Sequence, residues 1–139
     1  MADTVDRATR SRMMAGIRAK DTQPEMRVRR AIHAAGLRYR LHRADLPGKP
    51  DLVFPSMRRI ILVQGCFWHG HRCLKGRIPA ANRIYWKDKI VNNQARDKRN
   101  IGRLRSRGWK VAQIWECKIR KCNEAELLSR LLRMIRHRR

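Results

Sequence analysis

A nine-residue segment, Gly65–Cys73, combines cysteines, histidines and two adjacent aromatic residues. Thiolate sulfur and imidazole nitrogen are the ligands of tetrahedral zinc sites in proteins. Four side chains can form a closed site of three cysteines and one histidine: Cys66, His71, Cys73 and Cys117. Because Cys117 is distant in the chain, such a site would fasten this segment to the strand that ends near Cys117. It would leave His69 free.

The same residues have simpler explanations. Three buried thiols and a surface histidine are one alternative, and His69 in place of His71 as the ligand is another. The four cysteines lie in a chain with no export signal, which favours thiols or metal ligands over disulfides.

The charge of the chain is strongly basic. Lysine and arginine number 35 against 11 acidic residues, which gives a formal net charge of +24. Such a charge favours polyphosphate ligands, and nucleic acid is the expected one. The sequence has no long apolar stretch and no signal peptide, so we expect a cytoplasmic protein without a membrane partner.

The length of 139 residues suits one domain with a core and is too short for two ordinary ones. We therefore expect a single domain over residues 1–139, with residues 1–21 as a basic arm that contacts nucleic acid. Met14 and Ile17 in this arm can act as apolar wedges in a DNA groove. Side chains of a disordered tail are the alternative explanation for both.

Apolar periodicity predicts the order helix, three strands, helix, strand, helix. Thr22 with Glu25, and Asn123 with Glu126, predict capping boxes at the starts of the first and last helices. The second helix is predicted over 83–107, with five core candidates: Ile84, Ile90, Val91, Ile101 and Leu104. The strands are predicted at Leu37–Leu41, Leu52–Phe54, Ile60–Val63 and Trp109–Trp115.

A carboxylate and a histidine are candidates for hydrolytic chemistry. Asp51 opens one predicted strand beside the end of the next, where its oxygens can hold magnesium and help activate water. His69 can serve as a general base because imidazole exchanges protons near neutral pH. Glu25 can orient His69 or a water molecule. The alternatives are a turn aspartate, a zinc-ligating His69 and a Glu25 that only caps its helix.

Two groups of residues are candidates for contacts with DNA bases. Phe67 and Trp68 can wedge between stacked bases if the metal-bound loop pushes them outward. Trp86, Lys89 and Asn93 share one face of the second predicted helix, where an aromatic ring and hydrogen-bond donors can meet base edges. Amphipathic packing explains Trp86 equally well.

Taken together, these motifs resemble the very short patch repair (Vsr) endonucleases of bacteria. The resemblance extends from Met1 to about Arg120, and its central motif is highly specific. It rests on Pro50-Asp51, Gly65-Cys66-Phe67-Trp68-His69, His71, Cys73, Pro79-Ala80, Trp86, Lys89-Ile90, Asn93, Gly108-Trp109 and Trp115-Glu116-Cys117.

The resemblance implies an α/β fold like that of type II restriction endonucleases, with a mixed central sheet flanked by helices. It implies a monomeric, magnesium-dependent enzyme with structural zinc, associated with the bacterial nucleoid. Its members nick one strand of duplex DNA beside a thymine mispaired with guanine, the product of 5-methylcytosine deamination. Mismatch-repair proteins are further expected partners.

The resemblance also implies roles for individual residues. Asp51 and the main-chain carbonyl of Val63 would bind magnesium, His69 would activate the water, and Glu25 would support His69. The structural zinc would be held by Cys66, His71, Cys73 and Cys117. Phe67, Trp68 and Trp86 would enter from the major groove and Met14 from the arm, and Lys89 and Asn93 would contact the mispair.

One departure from the family concerns the end of the third predicted strand. Family members often carry Thr-His where this chain has Val63 and Gln64. A backbone carbonyl survives the first change, but the Gln64 amide cannot transfer a proton and can only hydrogen-bond a phosphate or water. The alternative functions are a restriction-type enzyme that cuts both strands and a non-catalytic, zinc-stabilised DNA-binding protein.

Overall fold

The computed structural model describes residues 22–73 and 78–136, so the predicted arm and Met14 lie outside the described part. Its elements are α1 (Gln23–Ala34), β1 (Arg40–Leu41), β2 (Leu52–Phe54), a 3-10 turn (Pro55–Met57), β3 (Arg59–Gln64), α2 (Arg83–Ser106), β4 (Lys110–Trp115), α3 (Glu116–Lys121) and α4 (Glu124–Arg136).

The four strands form one mixed sheet in the order β1-β2-β3-β4. The first three strands make the predicted antiparallel meander, with Leu52 opposite Ile61. β4 is parallel to β3, and Gln64 pairs with Trp115 at their carboxyl ends. Parallel neighbours need a long crossover connection, and α2 lies within that connection.

Alternating residues of the strands contact helices on opposite faces of the sheet. On one face Phe54 and Ile61 pack with Ile32 of α1, Ile119 of α3 and Leu131 of α4. On the other face Val53 and Ile60 pack with Leu104 of α2 and with Leu46 and Trp109. The protein is therefore an α/β structure with helices on both faces of a mixed sheet, as predicted.

Side-chain caps fix the starts of two helices. Thr22 Oγ1 accepts a hydrogen bond from the Glu25 backbone N–H at 3.3 Å, as predicted for α1. Asn123 and Glu126 exchange reciprocal side-chain to backbone hydrogen bonds of 2.8 and 3.1 Å at α4. Both predicted helix starts are confirmed.

The prediction of which α2 residues belong to the core is wrong at two positions. Ile84 and Val91 are 80% and 51% exposed, whereas Ile90, Ile101 and Leu104 are buried. The helix packs through a narrow stripe, and residues 84 and 91 lie on the opposite side of it. β1 is also shorter than predicted, because it begins at Arg40 and not at Leu37: the Leu37 N–H donates instead to the Ile32 carbonyl near the end of α1 at 3.3 Å.

Within the described residues, no helix is both long enough and apolar enough to cross a membrane.

Candidate functional site

The sheet topology brings three chemically important segments to one edge. β3 and β4 run in parallel and end side by side, so the residues that follow them, including Cys66 and Cys117, emerge together. β2 runs antiparallel to β3, so Asp51 before its start lies at the same edge. The Asp51 carboxylate accepts a hydrogen bond from Val63 N–H at 2.9 Å.

Three cysteines and a histidine converge at this edge. The side-chain donor atoms of Cys66, His71, Cys73 and Cys117 all lie within 4.8 Å of one another. Cys117 Sγ is 3.6 Å from His71 Nδ1, and Cys117 N–H donates to Cys66 Sγ at 3.3 Å. None of the four cysteines, all within the described residues, forms a disulfide. His71, and not His69, joins the thiols.

The surroundings of this Cys/His cluster favour a bound cation. Cys66 is fully buried, and burial raises the pKa of its thiol to about 12. A cation that binds there must replace the thiol proton, and it would supply the charge that stabilises a buried thiolate. Three sulfurs and one imidazole nitrogen suit a tetrahedral metal ion. Cys122 lies apart and packs against the core.

The loop that carries the cluster is held by local contacts. His71 N–H donates to the Cys66 carbonyl at 2.9 Å, and the His71 ring stacks on Trp115 with centroids 4.2 Å apart. Gly70 has a positive φ of 62°, and a Cβ there would lie 2.8 Å from the Ile90 side chain. Glycine is therefore required where the loop passes over α2.

A second cluster surrounds Asp51. Donor atoms of Glu25, His42 and Asp51 lie within 4.8 Å of one another. Glu25 is only 2% exposed, and His42 Nε2 donates to Glu25 Oε1 at 2.6 Å. Two carboxylates and an imidazole are a donor set that fits a divalent cation.

The protonation of Asp51 reflects this environment. Burial raises the pKa of Asp51 to about 6, and the nearby Glu25 carboxylate adds to the rise. The Val63 N–H and the imidazoles of His42 and His69 act in the opposite direction. An Asp51 that only closed a turn at the surface would not be perturbed in this way.

His69 lies in the loop that carries the Cys/His cluster and is close enough to Asp51 to act on its pKa. Its Nδ1 donates to the carboxylate of Asp97, and both side chains are about one-fifth exposed. Asp97 comes from α2, as do Asn93, which donates to the Trp68 carbonyl at 2.9 Å, and Gln94, which donates to the His69 carbonyl at 3.3 Å. The helix therefore fixes both the loop backbone and the imidazole.

Sequence reasoning missed His42 and Asp97. His42 follows alternating basic and apolar residues, which suggested only a strand. Asp97 lies four residues after Asn93 and extends the helix face already singled out, so this spacing could have identified it. The prediction gave Glu25 to His69, whereas the hydrogen bonds pair Glu25 with His42 and His69 with Asp97.

The aromatic residues form one cluster over α2. Phe67 and Trp68 are half-buried, with centroids 5.1 Å apart, and Trp86 lies 5.3 Å from Phe67. Trp86 is only 6% exposed and forms the base of the cluster, and Lys89 is half-buried. Phe67 and Trp68 are thus the more accessible pair.

Gln64 ends β3 and is only 5% exposed. Ile60 and Leu62, which alternate with it, pack on the α2 face of the sheet, so Gln64 points to that face as well.

Comparison with known proteins agrees with this architecture. Residues 2–75 match the model of the DNA mismatch endonuclease Vsr family. The chain is 47% identical over 119 residues to the type II nicking enzyme V.XorIIP of Xanthomonas oryzae pv. oryzae, covering 86% of this chain and 88% of that protein. It is 42% identical over 134 residues to the DNA mismatch endonuclease Vsr of Escherichia coli, covering 94% and 86%.

A third relative, the type II nicking enzyme V.NmeAIP of Neisseria meningitidis, is 39% identical over 136 residues, which cover 98% of this chain and 96% of that protein. The chain therefore belongs to the Vsr family of DNA mismatch endonucleases, and it is a DNA endonuclease, a phosphodiester hydrolase.

Proposed function

We propose that this protein nicks one strand of duplex DNA beside a T:G mismatch in very short patch repair, and that it acts as a monomer. The observation that carries the proposal is Asp51, a half-buried carboxylate with the His69–Asp97 pair and the Glu25–His42 pair close by. Nicking is supported by relatives that are named nicking enzymes.

The residues around Asp51 suit a magnesium ion. The N–H and C=O of one strand residue point to the same edge, so the Val63 carbonyl faces the side on which its N–H meets Asp51. Carboxylate and carbonyl oxygens are the ligands that Mg²⁺ prefers. When bound, Mg²⁺ would polarise the scissile phosphate and stabilise the negative charge that develops during hydrolysis.

The His69–Asp97 pair would carry the proton transfer. Asp97 holds the Nδ1 proton and so orients the ring, which leaves Nε2 to accept a proton from the attacking water. The water oxygen forms its bond to phosphorus as the bond to the leaving oxygen of the DNA backbone breaks. Gln64 can only hydrogen-bond in this process.

Structural zinc is the proposed occupant of the Cys/His cluster. Cys66, His71, Cys73 and Cys117 match a closed tetrahedral set with no open position for catalysis. Such a site would hold the loop that presents Phe67, Trp68 and His69.

The proposal is tested with end-labelled duplexes, one matched and one with a single T:G mispair, with and without Mg²⁺. We expect a Mg²⁺-dependent nick in one strand of the mismatched duplex, and a loss of that nick in His69→Gln. Cleavage of both strands would favour a restriction-type enzyme. Binding without any cleavage would favour a non-catalytic DNA-binding protein.

A further inference from the structure

His42 lies next to the proposed catalytic cation but has no part in the mechanism above. Its imidazole is 80% buried and hydrogen-bonded to the Glu25 carboxylate, and its backbone N–H donates to the Asp51 carbonyl at 3.2 Å. Two carboxylates and one imidazole therefore meet at one point of the sheet edge.

We propose that His42 supplies a nitrogen ligand to the catalytic cation, alongside Glu25 and Asp51, and that this centre therefore prefers Mn²⁺ to Mg²⁺. The inference rests on the proposed function, because it concerns the cation of the same site. It assigns His42 and Glu25 to the cation, in addition to Asp51 and the Val63 carbonyl.

The distances allow one ion to reach all three side chains. Two atoms bonded to the same ion at about 2.2 Å are at most about 4.4 Å apart. The three donor atoms already lie within 4.8 Å of one another. Shifts of a few tenths of an ångström would complete the site, and residues 43–50, between His42 and Asp51, belong to no helix or strand.

The backbone at His42 supports a role beyond packing. His42 has a left-handed conformation, with φ 43°, that non-glycine residues adopt at a cost and that is enriched at functional sites. This conformation ends β1 and turns the side chain toward Glu25. The backbone conformation thus places the His42 imidazole beside the buried Glu25 carboxylate of α1.

Charge in the cluster favours a cation as well. Glu25 is buried and Asp51 is half-buried, and their carboxylate oxygens lie within 4.8 Å of each other, where two negative charges repel. A divalent cation between them would relieve this repulsion.

The nitrogen donor decides which cation is preferred. Mg²⁺ is a hard ion that favours oxygen ligands, whereas imidazole strengthens binding of transition metals. His42→Gln keeps a polar side chain of similar length but removes the imidazole. We expect it to weaken Mn²⁺ binding by about tenfold or more and Mg²⁺ binding by clearly less.

The test uses the zinc-loaded full chain without DNA and Mn²⁺ as the probe. Pulsed electron paramagnetic resonance detects a nitrogen nucleus bonded directly to Mn²⁺. Wild-type protein should show imidazole nitrogen coupling, and histidine labelled with ¹⁵N should change the coupling. The coupling should vanish in His42→Gln and persist in His69→Gln and in His33→Gln, which alters an exposed residue of α1.

Coupling that is absent from wild-type protein, or that survives in a folded His42→Gln variant, would overturn the proposal. The ¹⁵N-labelled wild type needs no variant, so poor folding of His42→Gln does not remove the test. Mismatch nicking is assayed on the same preparation. Nicking without nitrogen coupling would refute only this inference, whereas coupling without nicking would refute the proposed function and leave the metal site intact.

Discussion

At the level of single residues, burial gives some side chains of this protein a protonation behaviour that ordinary surface residues do not have. Asp51 is the clearest example, since burial and Glu25 both disfavour its charged form. In the folded state its pKa is raised, so the stabilising effect of its neutral form is complete at low pH. That effect is lost as the pH rises through about 6.

Replacing Asp51 with Asn should therefore stabilise the fold while abolishing nicking. The amide oxygen still accepts from Val63 N–H but carries no charge. In magnesium-free buffer at pH 8 the gain should reach at most about 3 kcal/mol, from a pKa rise from 3.8 to about 6. It should shrink as the pH falls toward 4.

Urea unfolding across this pH range measures the effect. A destabilised Asp51→Asn protein at pH 8 would contradict it, and so would nicking at the wild-type rate. Retained binding of mismatched DNA shows that the variant is folded and that only the chemistry is lost.

The cysteines provide a matched pair of variants. Cys73→Ser removes one donor of the Cys/His cluster, whereas Cys122→Ser changes a half-buried thiol outside it. We expect wild-type protein and Cys122→Ser to hold about one zinc per chain and Cys73→Ser to lose both zinc and thermal stability. Elemental analysis measures the zinc content, and thermal unfolding measures the stability. Equal zinc contents in all three proteins would refute the zinc assignment.

At the level of secondary-structure elements, α2 contacts both the sheet and the loop that carries the proposed base His69. Near its carboxyl end the helix packs on the sheet through Ile101 and Leu104, and nearer its amino end the same face meets the loop through Asn93, Gln94 and Asp97. The same helix therefore contributes to the core and orients the proposed base.

Asp97→Asn should reduce nicking by roughly 10²-fold to 10⁴-fold, because the amide can no longer hold His69 in the tautomer that accepts the proton. Asp88→Asn, an exposed change on the same helix, should have little effect. Single-turnover rates under saturating enzyme separate this loss from weaker binding. Additive losses in the double variant with His69→Gln would contradict the pairing, since the two residues act as one unit.

At the level of the whole molecule, a net charge of +24 must supply affinity for any duplex, matched or mismatched. Discrimination between matched and mismatched duplexes has to come from other contacts than those of the basic side chains with phosphate. Phe67 and Trp68 are the accessible rings of an aromatic cluster that rests on Trp86, next to the proposed metal loop. A T:G pair is easier to unstack than a Watson–Crick pair, so a wedge would favour it.

Replacing both Phe67 and Trp68 with Ala should lower the ratio of matched to mismatched Kd while leaving much of the nonspecific affinity. Salt should weaken binding to both duplexes by similar factors. Ile84→Ala provides a control, because Ile84 is an exposed apolar residue on the outer side of α2. An unchanged Kd ratio at one fixed salt concentration would assign discrimination to other residues, with Lys89 and Asn93 the first to test.

Local features of the sequence determined much of this architecture. The helix starts at Thr22 and Asn123 follow from short-range hydrogen bonds, and the strand pattern follows from alternation of apolar residues. The close spacing of Cys66, His71 and Cys73 already indicated a metal site, because a loop of this length brings its ends together. The short helix α3 was not predicted, since it directly continues the residues of β4.

Only the tertiary structure decided which residues meet. Ile84 and Val91 have the composition of a core, but the packing of α2 on the sheet leaves them in solvent. Asp97 joins His69, and His42 joins Glu25, through contacts across 28 and 17 residues. Such pairings depend on how β3, β4 and α2 pack against one another, and packing is a property of the whole chain that no local pattern encodes.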